Sequence, residues 1–451
     1  MDKIRLKNVV IIAPDFTPSS YPPALRARFF AQHLAEFGWN PIVLTTNPEN
    51  YESAVDPENE KLLDPALELV RTGALPLKWT RKLGFTDVSL RTLWPHWRAL
   101  NEICHKRKVD LIFVSVPPNF PIVLGRLAHA RFGIPYILDY NDPIITDHYS
   151  KLPRSKRPPK WAVVRTLHGI LEPFALRHVD QIVGVADSYM AGLFSNYPWL
   201  RGTKATAIPF GVETKDFEHV RANPRKNSIF NPKDGHFHIS HVGAGGPGWG
   251  NVLRAFFKAI QSLRRSKPEL FSKVRIHFVG TSYAPQEASY QVLPFAREFG
   301  VDDIVEEIPR RVPHLEAIQI LLDSDTLVVL GSEASHYTGS KIFPYILAAK
   351  PLLAVLHEES NAGKLLRELC AGNAVTFGAD RPVMSVVEEI GLAIEEWLRL
   401  PAGWIPQTKW EKFEPYTARA VTANLAEVFN RTVQSATTPD LSCSTRRELL
   451  K

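Results

Sequence analysis

Along the chain, short runs of β-branched and aliphatic residues alternate with longer stretches in which apolar positions recur every three or four residues. That alternation predicts parallel strands joined by crossover helices. In the first half the apolar runs place strands at residues 8–13, 41–46, 110–115, 135–139 and 181–185. Between the first two, ALRARFFAQHLAEFG sets Leu25, Phe29, Phe30, His33, Leu34 and Phe37 on one helical face and stops at Gly38. After a further run at 205–209 comes a connector rich in Pro, Asn and Lys, KDFEHVRANPRKNSIFNPKDGH, and the alternation then starts afresh. The second set of strands is expected at 237–242, 274–279, 303–306, 326–330, 352–355 and 374–376.

The pattern predicts an α/β chain of two Rossmann-like, doubly wound domains, residues 1–220 and 221–415. A helix at 416–434 would cross the hinge, and a Ser/Thr-rich tail, 435–451, would fray. Open sheets of this kind take ligands outside the carboxyl ends of their strands. Two of them facing across a cleft predict an enzyme with one substrate per domain.

Length and composition agree: 451 residues fit two domains, and 45% hydrophobic with 22% charged residues excludes a largely disordered chain. Charge changes the picture more. A net charge of +7 predicts an anionic partner, whether nucleic acid, acidic lipid or a phosphorylated small molecule. Residues 150–165, SKLPRSKRPPKWAVVR, hold six Lys/Arg, no acid and Trp161, and Trp94 and Trp97 lie in the same domain. This mixture suits an anionic bilayer surface, where each basic residue contributes about 1 kcal/mol, or else a solvated loop. It is too short to argue for nucleic acid. No window reaches the roughly 18 apolar residues a membrane span requires, and the apolar run after Lys7 is too short for a signal-peptide core. Cys104, Cys370 and Cys443 are scattered and lack metal spacing, which points to a reducing, cytoplasmic setting with peripheral membrane attachment as an extension of it.

The segment HISHVGAGGPGWGNVLRAFFKA, residues 238–259, contains Gly243, Gly245 and Gly248 in the spacing G-x-G-x-x-G after an apolar run. A nicotinamide dinucleotide site would place a carboxylate at the end of the next strand. Here VRIHFVGTS ends in Gly280, Thr281 and Ser282, which argues against that cofactor. A phosphate cradle remains: glycines let backbone N–H groups approach an anion, and the following helix adds its partial positive charge. A tight turn without a ligand fits as well.

Four further segments, in order, carry a family resemblance: SSYPPALRARFFAQHLAEFGWNPIVLTT (19–46), DLIFVSVPPNFPIVLGRLAHARFGIPYILDYNDPI (110–144), HVDQIVGVADSYMAGL with IPFGVETKDF (178–217), and TGSKIFPYILAAKPLLAV (338–355). Together they resemble the retaining GT-B glycosyltransferases of family 4, particularly bacterial members that build surface polysaccharides. The resemblance implies transfer of a sugar from a nucleotide-sugar donor, held by the second domain, to a hydroxyl of a glycan or lipid-linked glycan held by the first. It implies no cofactor and no metal, and no D-x-D motif follows a predicted strand. The family's two glutamates, with seven residues between them, fall on His336 and Pro344 here, leaving Glu333 as the nearest acid for the donor ribose. That departure leaves open a catalytically inactive scaffold or binding subunit of a glycan-assembly complex.

The leaving diphosphate needs fixed dipoles and cations. Candidates are Gly245, Gly246 and Arg254 around the glycine loop, and Gly339, Ser340 and Lys341 in TGSK, which opens a helix after an apolar strand. Arg310 is expected at the nucleotide base, and His336 and Tyr337 beside the sugar. In the first domain Tyr21, Pro23 and Arg26 are candidates for acceptor or phosphate contact, although two prolines also simply start a helix. Arg26 and Arg28 lie about 200° apart on that helix, so one of them is expected at the site and the other on the surface. Asp142, after a strand's carboxyl end, is expected to orient the acceptor hydroxyl or to cap the next helix.

Overall fold

In this computed structural model the described residues are 5–51, 55–81, 87–145, 157, 161–245, 248–282, 289–333, 341–401 and 403–437. The chain opens with β1 (Lys7–Ile12), α1 (Pro22–His33), β2 (Trp39–Thr46), β3 (Glu68–Thr72), α2 (Val88–Lys106) and β4 (Leu111–Val116). It continues through α3 (Ile122–Phe132), β5 (Tyr136–Tyr140), α4 (Trp161–Leu176), β6 (Gln181–Gly184), β7 (Lys204–Ala207) and α5 (Thr214–Ala222). Next come β8 (Phe237–Val242), α6 (Trp249–Ser266), β9 (Val274–Val279), β10 (Val305–Ile308), α7 (His314–Asp323) and β11 (Thr326–Leu330). The last elements are α8 (Ile342–Leu347), β12 (Leu352–His357), β13 (Asn373–Phe377), α9 (Val387–Leu398) and α10 (Ala418–Thr437).

The chain divides into two units. The first comprises Met1–Glu52, Leu63–Phe210 and Ala418–Lys451, the second Ser53–Leu62 and Gly211–Thr417. The divisions fall at 210/211 and 417/418, not at the expected 220/221 and 415/416. The reason is α5: Phe217 and Val220 are buried, and Asp216 Oδ2 meets His314 Nε2 of α7 at 2.8 Å, which fixes this helix to the second unit.

In the first unit seven parallel strands run in the order β3-β2-β1-β4-β5-β6-β7. Successive side chains of β1 serve opposite layers. Val10 and Ile12 pack with Leu100, Ile103, Leu124 and Leu176 from α2, α3 and α4. Val9 and Ile11 pack with Phe30, Phe113 and, from α10, Val421, Leu425 and Phe429. The final helix is therefore part of this unit's core, with Phe429 at 5.2 Å from the Trp39 ring and 5.4 Å from Phe113. That packing also explains why α1 departs from its expected single apolar face. Lying between the sheet and α10, with Thr422 Oγ1 donating to Phe29 O at 3.5 Å, it buries Arg26 and Arg28 along with its aromatic residues. As expected, Gly38 ends the segment in the left-handed region, φ 85°, after a 3-10 turn over Leu34–Phe37. The edge strand β3 has no counterpart among the expected strands, because all five residues of ELVRT are half-buried and form no apolar run.

The second sheet has six parallel strands, β10-β9-β8-β11-β12-β13, the connectivity of a dinucleotide-type domain. In each sheet the winding reverses beside its first strand, between β1 and β4 and between β8 and β11. At such reversals the loops diverge and leave room for a ligand.

Candidate functional site

Beyond Ser240 the pairing of β8 with β11 stops, while β8 stays paired to β9 as far as Val242. Side chains take over the lost bonds. Tyr345 of α8, fully buried, receives a hydrogen bond from Val242 N at 2.5 Å and donates to Val242 O at 3.1 Å. His241, driven down to about 3 by burial, sits as a neutral ring 2.9 Å from Val328 O. The opening at the sheet reversal is thus held by fixed groups, and the glycine loop leaves from it.

Each described glycine of that loop has its own cause. A Cβ on Gly243, φ 124°, would lie 2.7 Å from Lys341 Cε and 3.0 Å from Nζ, so the lysine occupies the space a side chain would take. Lys341 Nζ donates to Ala244 O. A Cβ on Gly245 would lie 2.0 Å from the Trp249 ring, whose Nε1 donates to Leu330 O at 3.1 Å. The glycine expected at 245 for phosphate approach is therefore required first by an indole. Gly248, φ 78°, is the left-handed residue from which α6 starts. Replacing Gly245 with alanine should cost about 1–3 kcal/mol through overpacking, read as a lowered melting temperature with loss of any nucleotide response.

Gly280, at the end of β9, closes the other wall: its amide donates to Ile308 O at 2.7 Å, and a Cβ there would approach Arg311 Cα at 3.6 Å and Gly243 Cα at 3.9 Å. Arg311, the neighbour of the Arg310 expected at the nucleotide base, is the cation that acts on Lys341. Burial first, and the Arg311 charge second, push the Lys341 amine down to about 7. Among the described residues no carboxylate pairs with it. A lysine amine and an arginine charge acting on each other beside the glycine loop that leads into an 18-residue helix are an arrangement able to attract an anion. Arg310 is exposed in the adjoining turn. The two arginines are indistinguishable in IPRR, and only the extension of β10 past Ile308, with Ser282 N donating to Pro309 O at 3.0 Å, decides which one faces the glycine loop.

Glu333 is exposed, lies against Gly248 and accepts from Asn251 Nδ2 at 3.1 and 3.0 Å. Arg254 is not at the loop as expected. Its guanidinium bonds Glu298 at 3.1 Å, stacks on Phe295 and reaches Asn251 Oδ1 at 3.3 Å, so it steadies the residue that holds Glu333. Asn251 was not foreseen; it lies three residues after Gly248, where a helix's first turn presents side chains to the preceding loop. Gly246, His336, Tyr337, Gly339 and Ser340 lie outside the described residues.

In the first unit Arg26 is the clearest correction. It is fully buried, with Nε and Nη2 on Asp139 at 3.0 Å and Nη1 on Pro209 O at 2.6 Å, and its guanidinium lies over Phe30 and Phe210. All its nitrogens serve the interior, which leaves none for an acceptor or phosphate. Arg28 is buried as well, against Phe29, and is not the surface charge expected. Tyr21 caps α1, and Pro22 and Pro23 fill its first turn, where no intrahelical N–H is needed. Asp142 reaches solvent beyond β5. The surrounding wall raises its carboxyl above the usual range, opposed by a hydrogen bond from Tyr189. Asn141 beside it donates to Val116 O at 3.0 Å and Asp139 Oδ2 at 3.3 Å, tying the ends of β4 and β5 together.

Comparison with known proteins follows this geometry. Residues 23–211 match the family model described as a glycosyl transferase 4-like domain. No curated protein sequence matches the chain. Among solved structures, a glycosyltransferase from Rickettsia africae aligns over 95% of this chain and 99% of its own, with 13% identity and a TM-score of 0.56. A UDP-forming α,α-trehalose-phosphate synthase from Burkholderia vietnamiensis aligns over 95% and 100%, with 12% identity and 0.56. The N-terminal domain of a Candida albicans trehalose-6-phosphate phosphatase aligns over 97% and 99%, with 14% identity and 0.59. The chain accordingly has the GT-B fold, and its residues 23–211 are similar to a glycosyl transferase 4-like domain.

Proposed function

We propose that this protein transfers a glycosyl group, with retention, from a nucleoside diphosphate sugar to a hydroxyl of a glycan or lipid-linked glycan, at a cytoplasmic membrane surface in polysaccharide synthesis. The observation that carries the reading is the pairing of Lys341 with Arg311 beside the glycine loop and the α6 terminus. Sugar transfer leaves charge on the departing diphosphate, and fixed donors at that point lower the barrier because they need no reorganisation. The likeness in fold to a synthase named as UDP-forming supports a nucleoside diphosphate as the donor's leaving group. Lys341 would bear on the phosphates, Arg311 would add charge from the neighbouring wall, and Glu333, presented by Asn251, is the carboxylate nearest the ribose. The departing phosphate would take the acceptor proton, with Asp142 orienting the acceptor. A second reading, a binding subunit without turnover, is favoured by Pro344, half-buried on α8 where the family carries its ribose-binding glutamate.

The test is a thermal-shift panel of UDP, GDP, dTDP, ADP, CMP and NAD, followed by a turnover assay with the matching nucleotide sugar. A nucleotide at a hundred times its dissociation constant should add about 2.7 kcal/mol. A shift with one nucleoside diphosphate and release of its sugar would sustain the enzyme. A shift without turnover, unrelieved by Pro344→Glu, would favour the binding subunit, and silence with every diphosphate would sink both.

A further inference from the structure

Three consecutive carbonyls where β8 runs into the glycine loop are each met by a different side chain. Val242 O accepts from Tyr345 at 3.1 Å, Gly243 O lies 3.1 Å from His241 Nε2, and Ala244 O accepts from Lys341 Nζ. The amides of the same residues are not all served. Val242 N donates to Tyr345 and Gly243 N to Val279 O at 2.7 Å, whereas among the described residues nothing accepts from the amide of Ala244. Ala244 is 1% exposed. Buried N–H groups are paired almost without exception in folded proteins, so an amide left over at this point of the loop is a donor for a ligand.

The direction of that amide is set through its own peptide group. The Gly243 carbonyl and the Ala244 amide belong to one trans peptide, in which C=O and N–H point opposite ways. Whatever holds the carbonyl therefore aims the amide. His241 stands at that place. Its ring is fully buried, 5.3 Å from Trp249 of α6 and 5.6 Å from Phe278 of β9, with Nδ1 2.9 Å from Val328 O of β11. Burial first, and the charge of Lys341 second, keep a second proton off the ring, and among the described residues Lys341 is the only charge acting on it. One N–H thus serves two carbonyls, and the tautomer decides which: Nδ1–H bonds the sheet, Nε2–H the loop. The choice is coupled to the amide. An anion that accepts from Ala244 polarises the shared peptide and makes Gly243 O the better acceptor, which favours Nε2–H.

We propose that His241 is the positioning residue of the diphosphate site, holding the Gly243 carbonyl so that the Ala244 amide is presented to a phosphate oxygen. The assignment rests on the diphosphate part of the reading above and adds to it the group that aims the loop. The experiment measures binding of inorganic pyrophosphate and of UDP to the full chain by calorimetry, and the His241 ring by nitrogen NMR of isotopically labelled histidine, its signals identified by their loss in His241→Gln. The wild type is expected to bind pyrophosphate with His241 in the Nε2–H form. His241→Phe keeps a ring among Trp249 and Phe278 but has no donor, and should bind pyrophosphate more weakly by about tenfold or more, the worth of one hydrogen bond to a charged group. His241→Gln, which restores a donor, should recover part of that loss. Lactic acid in place of Ala244 turns the amide into an ester without an N–H and should weaken pyrophosphate to a similar degree, a result that stands even if the phenylalanine variant does not fold. Undiminished binding by the ester variant, or Nδ1–H in the pyrophosphate-bound protein, would overturn the role of His241 and leave the diphosphate to Lys341 and Arg311. A wild type silent to pyrophosphate and to every nucleoside diphosphate of the panel would overturn the diphosphate reading itself.

Discussion

Replacing Lys341 with methionine should lower the turnover of a nucleotide sugar by about 10²–10³-fold, the usual cost of one group that stabilises developing negative charge, while raising the melting temperature. The two effects share one cause. The amine is held at about 7, against about 10.4 in an unfolded chain, because burial and Arg311 oppose its charge. Below pH 7 the lysine is protonated in both states and its destabilisation is at full size. Between about pH 7 and 10.4 the unfolded chain binds more protons, so this group makes stability rise with pH, and above that window it has no effect. The melting temperature gained by Lys341→Met should therefore be larger at pH 6 than at pH 9. Diphosphate binding reverses the balance by offering the amine a counter-charge. Calorimetry of UDP binding at pH 8, in buffers of different ionisation heat, should show uptake of nearly one proton by the wild type, lost in the variant. A variant that keeps turnover and the proton uptake would remove Lys341 from the site.

Asn251→Ala should test Glu333 more gently. Two hydrogen bonds orient that carboxylate, and without them it should swing free in solvent. The expected result is a several-fold rise in KM for the nucleotide sugar with kcat nearly unchanged, since an interaction made equally before and during transfer affects binding alone. Stability should stay within about 0.5 kcal/mol, as for other exposed positions.

The fold was legible because both sheets are buried on two faces. Parallel strands covered by helices read as unbroken aliphatic runs, and VVII, IFVSV, TLVVL and LLAVL sit in the sheet interiors as the pattern expects. HFHISHVG is the instructive exception, an apolar strand spelled with histidines. His238 and His241 are buried because the first meets His277 Nε2 at 3.0 Å and the second bonds carbonyls, partners set by register and invisible to periodicity. Of the candidate site, one adjacency was legible: the sequence singles out the glycine loop and Lys341, almost a hundred residues apart, and the two meet at Gly243 and Ala244. Roles were less legible. Which arginine of a pair faces the loop, whether Arg254 faces phosphate or Glu298, and whether Gly245 serves a ligand or an indole all depend on distances across strands. A short sequence window carries no record of those.

Arg26 makes the same point with the largest expected change in stability. Asp139→Ala should destabilise the first unit by about 3–5 kcal/mol, because it leaves a guanidinium buried without its counter-charge. Arg26→Ala should cost a similar amount by stranding the carboxylate and the Pro209 carbonyl. Replacing the pair together with leucines should cost less than the sum, since a buried ion pair gains little net energy over apolar packing and most of each single loss is the desolvated survivor. Urea unfolding followed by circular dichroism is the measurement. The transition of the first unit should move to lower urea in both single variants, and the nucleotide response of the second should persist at low denaturant. Were Arg26 an acceptor contact, its alanine variant would instead keep the wild-type transition and raise KM for the acceptor. The full burial of Arg26 and its hydrogen bonds to Asp139 and Pro209 argue for the first outcome: this arginine couples the start of α1 to the ends of β5 and β7, and so holds in register the strand ends from which Asn141 and Asp142 emerge.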